Sequence, residues 1–393
     1  ILVVTQFFPP EGQGGGHRWP KLIQNSSENL EYRVVCPPPT YPYGDFERTY
    51  RLWQTEEYEG IPVTRLWTYQ PDEDVGSFGR ILNYGVFAIV ASLYLLVNFW
   101  RFDGVVTMST PHTTFLPGAI GRILGRAWIV DIFDLWLDNA ADLDYVDVDT
   151  IGYQLVSRLE ELAITRADRV IVLTPTMRDY YMDKYELASE DRFVIVPFGI
   201  DDDLFDPELE RSDKDRVIYV GNLGTFYAFE PFLEAFARLD NSTELYMVGW
   251  GERRDELEGL CNELGIDDQV TFTGKIPRKD VAELLATSTV SWVPLSTEYR
   301  LDYARPTKML ESMAVGTPYI ASRVREVAVV TETSQAGILV DNEPEMIAEE
   351  MAWLLAHPEQ RMEMGQKAIE YIHDEHNWCR LGKRVSDTIV NVC

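Results

Sequence analysis

The chain has 393 residues, 46% of them apolar, which excludes global disorder and exceeds what one ordinary core holds, so two domains of about 150–200 residues are expected. With 64 acidic residues against 35 basic ones, the net charge is −29, which excludes nucleic acid as a partner because its phosphates would be repelled. Such a surface is soluble in any cell; with arginine carrying most of the positive charge it also suits a salt-rich cytoplasm that screens self-repulsion, and a halophilic source is expected.

The chain opens inside a strand, 1–6, with no signal peptide, and an initiator methionine and a few more residues are expected before it. A glycine loop follows, Pro9-Pro10-Glu11-Gly12-Gln13-Gly14-Gly15-Gly16, and then a helical stretch. Further strands are predicted at 32–36, 63–66, 104–108, 128–131 and 169–173, with helices between several of them. Strands alternating with helices imply a parallel, doubly wound sheet. One segment departs from ordinary soluble helices: 81–100 carries no charge in twenty residues and is bracketed by Arg80 and Arg101. Its length allows a bilayer span, but it runs directly into the strand at 104–108 and holds Asn83, Tyr84, Ser92, Tyr94 and Asn98. Three readings stand: a buried core helix, a helix sunk into a membrane surface, and a true span. Glutamates at Phe87 and Leu95 are expected to separate them, by release from membranes or by unfolding.

The polar, turn-rich stretch from Phe198 to Lys214 reads as a linker. Beyond it the plan repeats, with strands at 217–220, 244–248, 270–273, 290–293, 319–321 and 337–340 and helices such as 229–239, 253–264 and 279–286. The fold class is therefore α/β, two doubly wound Rossmann-like domains, 1–198 and 199–374, facing across a cleft, with a terminal helix at about 375–393 returning to the first. A site at such a cleft is the default expectation.

The four cysteines, Cys36, Cys261, Cys379 and Cys393, lack any paired spacing and read as reduced, mostly buried thiols. His373 and His376 have a metal-like spacing but lie in a polar terminal helix, where both are expected to be solvated. Asp201-Asp202-Asp203 imitates an Asp-x-Asp metal motif inside the linker of an acid-rich chain. No metal and no cofactor are expected.

The richest stretch is Arg305-Pro306-Thr307-Lys308-Met309-Leu310-Glu311-Ser312-Met313-Ala314-Val315-Gly316-Thr317-Pro318. Lys308 and Glu311 share one face of a short helix begun by a proline and stopped by a Gly-x-Pro turn. Alone, such a pair reads as a surface ion pair. Set between the apolar runs 289–295 and 319–321, it lies at the carboxyl ends of buried strands, where open α/β sheets bind ligands. A lysine meets a diphosphate and a carboxylate accepts both ribose hydroxyls, so the spacing suits a sugar nucleotide.

The chain resembles the retaining glycosyltransferases of the GT-B fold, family four, and within it the membrane-associated polysaccharide and glycolipid enzymes. The resemblance rests on Phe8-Pro9-Pro10-Glu11 with its glycines, Asp134-Leu135-Trp136, Ala167-Asp168-Arg169, Val196-Pro197-Phe198-Gly199-Ile200-Asp201 with Phe205, Val220-Gly221-Asn222-Leu223-Gly224, Val248-Gly249-Trp250-Gly251-Glu252, Val270-Thr271-Phe272-Thr273-Gly274 and the Pro306–Pro318 stretch. It implies hexosyl transfer from a nucleoside diphosphate sugar to a glycan or lipid-linked acceptor hydroxyl with retained anomeric configuration. The place of work is the inner face of the cell membrane, with 81–100 on the membrane surface.

Carried over by position, Glu311 holds the donor ribose, and Lys308 meets the diphosphate with Arg305 or Arg300. Gly221, Asn222 and Gly224 form a phosphate-facing loop, or a plain turn. Gly249 and Gly251 lie near the nucleobase, or in another turn. Gly12, Gly14, Gly15 and Gly16 form the matching first-domain loop. Asp134 orients or deprotonates the acceptor hydroxyl, or caps a helix, and His112 in Ser109-Thr110-Pro111-His112 is the alternative base. Two positions depart from the family: many relatives carry a glutamate where this chain has Tyr303, leaving Asp302 as substitute, and a basic residue where it has Asn222. No nucleophile is evident, so front-face attack assisted by the leaving phosphate is expected. Two rivals remain: a sugar-nucleotide epimerase on the same scaffold, and an inactive partner subunit that binds sugar nucleotide or membrane.

Overall fold

The computed structural model describes residues 1–393 apart from 12–14, 72–75, 144–145 and 212–214, so the expected loop residues Gly12 and Gly14 lie outside what is described. The chain divides into two compact units, Ile1–Pro197 with Trp378–Cys393, and Phe198–Asn377.

The first unit is built on β1 (Leu2–Val4), β2 (Arg33–Cys36), β3 (Trp53–Tyr58), β4 (Ile61–Leu66), β5 (Gly104–Met108), β6 (Ala127–Ile132), β7 (Arg169–Val172) and β8 (Phe193–Ile195). Their order is β3-β4-β2-β1-β5-β6-β7-β8, parallel except for the β3–β4 hairpin. Every residue of β5 and β6 is buried, as runs of this apolar kind require when helices cover both faces of a parallel sheet. Two strands escaped sequence reading. β3 pairs at an edge with alternating exposed and half-buried residues, and β8 is only the three residues Phe193-Val194-Ile195, an apolar run too short to mark a strand by itself. Helix Trp378–Val390 packs on Arg18–Gln24 so closely that a Cβ on Gly382 would lie 2.4 Å from the Asn25 carbonyl oxygen.

The second unit is a six-stranded parallel sheet of β9 (Arg216–Val220), β10 (Glu244–Val248), β11 (Val270–Gly274), β12 (Val290–Val293), β13 (Tyr319–Ser322) and β14 (Gly337–Val340). The order β11-β10-β9-β12-β13-β14 reverses direction between β9 and β12. That reversal opens a crevice at the carboxyl ends of β9 and β12, since their following segments leave toward opposite faces. In the first unit the equivalent switch lies between β1 and β5.

Two expectations need correction. His376 is fully buried, not solvated; its Nδ1 donates to the Phe198 carbonyl at 2.7 Å, and burial pulls its pKa down to about 4. The charge-free segment forms helix Gly76–Leu96, and it is not buried all round. Phe87, Ala91 and Leu95 join Leu2, Val4, Val35 and Val105 in a core cluster, while Phe78, Ile81, Ile89, Leu93, Leu96, Val97 and Trp100 are exposed. Phe87 and Leu95 are 0% exposed, so glutamates there would strike the core and say nothing about membranes. Of the cysteines, expected to be mostly buried, Cys36 and Cys261 are buried, Cys379 and Cys393 are exposed, and no disulfide joins them.

Candidate functional site

In the second unit the turns after β9 and β10 are laced together. Gly221 N–H donates to the Val248 carbonyl at 2.9 Å and Leu223 N–H to the Trp250 carbonyl at 3.1 Å. Gly221 and Gly249 have φ of +138° and +136°, and a Cβ on Gly249 would lie 1.8 Å from the Gly221 carbonyl oxygen. Glycine is needed at both, because no L side chain fits that backbone or that gap. A Cβ on Gly251 would meet the Leu223 carbonyl at 2.2 Å, and Glu252 Oε1 accepts from both Thr225 N–H and Oγ1 at 3.0 Å. Gly224 is buried in this lacing, and Asn222 is exposed at the tip of the β9 turn.

Under that tip lies helix Thr307–Ala314, begun at Pro306. Its residues Lys308 and Glu311 are both buried. Lys308 reaches beneath the β9 turn, where a Cβ on Gly221 would lie 2.9 Å from its Cε and Nζ. Glu311 Oε1 accepts from Arg278 at 2.9 Å; burial raises its pKa, and the charges of Arg278 and then Lys308 lower it. Arg278 begins helix Arg278–Ala286 and keeps 66% of its side chain exposed, so it can swing aside for a ligand. Sequence reasoning missed Arg278; the signal available was a basic residue just after β11, at the same sheet edge.

Arg305 and Arg300 were the other cations expected at the diphosphate. Arg305 is paired with the buried Glu326 at 2.8 Å, which corrects the expectation that it meets phosphate, since freeing it would strand a buried carboxylate. Asp302, expected as a sugar contact, is exposed and accepts from Arg325 N–H at 3.2 Å at the start of helix Arg325–Ser334. Tyr303 is buried, and Arg300 is exposed.

In the first unit, Gly15 has φ +74°, and a Cβ there would meet Phe133 Cζ at 2.8 Å; Gly16 is buried beside it. Arg18 and Trp19 clasp Asp131 at the end of β6, with Arg18 Nε and Trp19 Nε1 each 2.8 Å from its carboxylate. The start of helix Arg18–Gln24 is thereby fixed to the strand that leads to Asp134. Asp134 is half-buried and accepts from Asn139 Nδ2 at 3.1 Å, while the cap position of helix Trp136–Asp142 is Leu135. His112 corrects the other base assignment. It is 0% exposed, stacked on Phe115 and edge-on to Trp136, with Nδ1 3.4 Å from the buried Glu160. Burial lowers its pKa against the pull of Glu160, so it is a neutral core histidine that no hydroxyl reaches in this structure. Phe7, Tyr41, Tyr43 and Tyr84 form a chain of edge-to-face rings at the carboxyl ends of β1 and β2, with Arg80 5.8 Å from the Tyr43 ring.

A doubly wound sheet with a phosphate-sized turn, a lysine and a carboxylate at its switch point belongs to the nucleotide-binding α/β class. Residues 24–199 match the glycosyl transferase 4-like domain and residues 201–371 match glycosyl transferases group 1, so the chain belongs to the group 1 glycosyltransferases. It is similar to the glycosyl transferase WcaI of Escherichia coli, 25% identical over 88% of this chain and 89% of that one. It is also similar to a D-inositol 3-phosphate glycosyltransferase of Acidothermus cellulolyticus, 28% identical over 65% of this chain and 61% of that one. Among solved structures, sucrose-phosphate synthase of Thermosynechococcus elongatus matches with a TM-score of 0.74 and 19% identity, over 100% of this chain and 98% of that one. HepE of Anabaena in complex with UDP matches with a TM-score of 0.72 and 13% identity, over 100% and 99%. The fold is that of GT-B glycosyltransferases.

Proposed function

We propose that the chain transfers a hexosyl group from a nucleoside diphosphate sugar to an acceptor hydroxyl on a glycan or a lipid-linked saccharide, with retention at the anomeric carbon. The observation that carries this reading is the placement of Lys308 beneath the Gly221 turn, with Glu311 one turn along the same helix at the β9–β12 crevice. Lys308 would stabilise charge growing on the leaving diphosphate, and Glu311 would accept the ribose hydroxyls once Arg278 moves. The complexes of HepE with UDP and with UDP-glucose support this donor class. Asp134 is the acceptor-side carboxylate, and the leaving phosphate assists attack from its own face. The diphosphate charge is met by protein groups, so transfer is expected to survive a chelator.

The same reading places the chain on the cytoplasmic face of a membrane through helix Gly76–Leu96. Its exposed apolar side supports this, and so does local charge: residues 76–130 hold one acid, Asp103, against the four arginines 80, 101, 122 and 126, in a chain of net charge −29. Anionic headgroups would attract that region and repel the rest.

The test is incubation with a panel of nucleoside diphosphate sugars and a membrane lipid extract at low and molar salt. Released nucleoside diphosphate, labelled lipid and the anomeric proton coupling of the product are read. One donor labelling lipid with retained configuration is the expected result; an isomerised donor without transfer would instead identify an epimerase.

A further inference from the structure

Lys308 is buried with its Nζ between two phenol rings. Nζ lies 4.2 Å from the Tyr219 ring centroid and 3.7 Å from that of Tyr227, and donates to Tyr219 Oη at 2.7 Å. Tyr219 Oη in turn donates to the Asn222 carbonyl, at the tip of the turn after β9. Among the described residues no carboxylate lies within ion-pairing distance of Nζ; Glu311, one turn further along, is paired with Arg278. Neither phenol is an anion, because burial pushes both hydroxyls above their ordinary pKa. Two ring faces return less to an ammonium than removing it from water takes.

We propose that Tyr219 and Tyr227 are positioning residues for the donor, storing the Lys308 side chain under the Gly221 turn without a counter-ion until a nucleoside diphosphate supplies one. This rests on the nucleotide-sugar reading above and goes beyond it. The groups facing Nζ are Tyr219 from β9, Tyr227 from the loop after it, and Glu311 from the lysine's own helix, with Arg278 behind Glu311. Burial takes the resting pKa of Lys308 well below its ordinary value, against the pull of Glu311 alone. Binding of the diphosphate raises that pKa again, so wherever the pH lies above the resting value the site takes up protons from the buffer. Donor affinity then falls as pH rises above the resting value, approaching tenfold per pH unit.

The experiment is titration calorimetry of the full chain with UDP, ADP and GDP at about pH 8, where the diphosphate is itself fully ionised. It is run in HEPES and in Tris, whose ionisation heats differ. Net proton uptake on nucleotide binding is expected. Tyr227→Phe, which keeps the ring, should retain that uptake. Tyr227→Leu opens the cage to water, leaves Lys308 charged at rest, and should bring uptake toward zero while binding persists. Binding without uptake by the wild-type chain, or equal uptake by Tyr227→Leu, overturns the inference and leaves the donor site standing. Failure of every nucleotide to bind overturns both.

Discussion

At residue scale the glycines separate what a turn needs from what a helix tolerates. Gly249 sits at φ +136° with the Gly221 carbonyl oxygen 1.8 Å from where a Cβ would be, whereas Gly259, exposed in helix Arg254–Leu264, has nothing within 4 Å. Gly249→Ala should lose about 3 kcal/mol or more and weaken donor binding, because both turns must move. Gly259→Ala should gain about 1 kcal/mol from helix propensity. Urea unfolding of the two variants decides it; equal effects would mean that the close approach of the turns carries no strain. Lys308 and Glu311 were legible because a three-residue spacing on a helix survives any tertiary context. Their neighbours were not: strand alternation gives the side of the sheet on which Tyr219 lies, but nothing in it says that the following loop folds Tyr227 over the same lysine.

At the scale of elements, helix Gly76–Leu96 shows how charge-free sequence conceals a face. Twenty uncharged residues leave core, surface and span undivided; the division comes from packing, with Phe87 and Leu95 inside and Ile89 and Leu93 out. Ile89→Glu with Leu93→Glu should therefore keep the fold and release the chain from anionic vesicles, read by co-sedimentation, while retention on vesicles would contradict the surface assignment. The helix Pro358–Glu375 and its following His376 carry a second prediction. With its folded pKa pulled from 6.5 to about 4, His376 holds fewer protons folded than unfolded between those values. Its contribution is present above pH 6.5 and is lost as pH falls toward 4, up to about 3 kcal/mol. His376→Gln keeps a donor for the Phe198 carbonyl and should lose less stability than wild type from pH 7 to 4.5; parallel losses by urea unfolding would refute the linkage. Mostly apolar runs made β5, β6 and β12 readable, whereas the half-exposed edge strand β3, with Glu56 and Glu57, has none.

Over the whole molecule, fold class follows from the repeated alternation of strands and helices, and the family from short motifs spread across both units. Ion pairs made after folding were out of reach of spacing. Arg305 looked available beside Lys308 until Glu326 claimed it, and Arg278 lay 33 residues from the carboxylate it meets. The net charge of −29 leaves donor phosphates to be won against a repelling field, which molar salt screens and the switch-point groups offset locally. The most direct measurement of the central claim is therefore transfer from the labelled donor by wild type and Glu311→Gln, side by side at molar salt. A charged hydrogen bond of about 1.5–3 kcal/mol predicts a ten- to hundredfold fall in donor use with the fold intact. Equal turnover by a well-folded Glu311→Gln would contradict the placement of the donor ribose at this carboxylate.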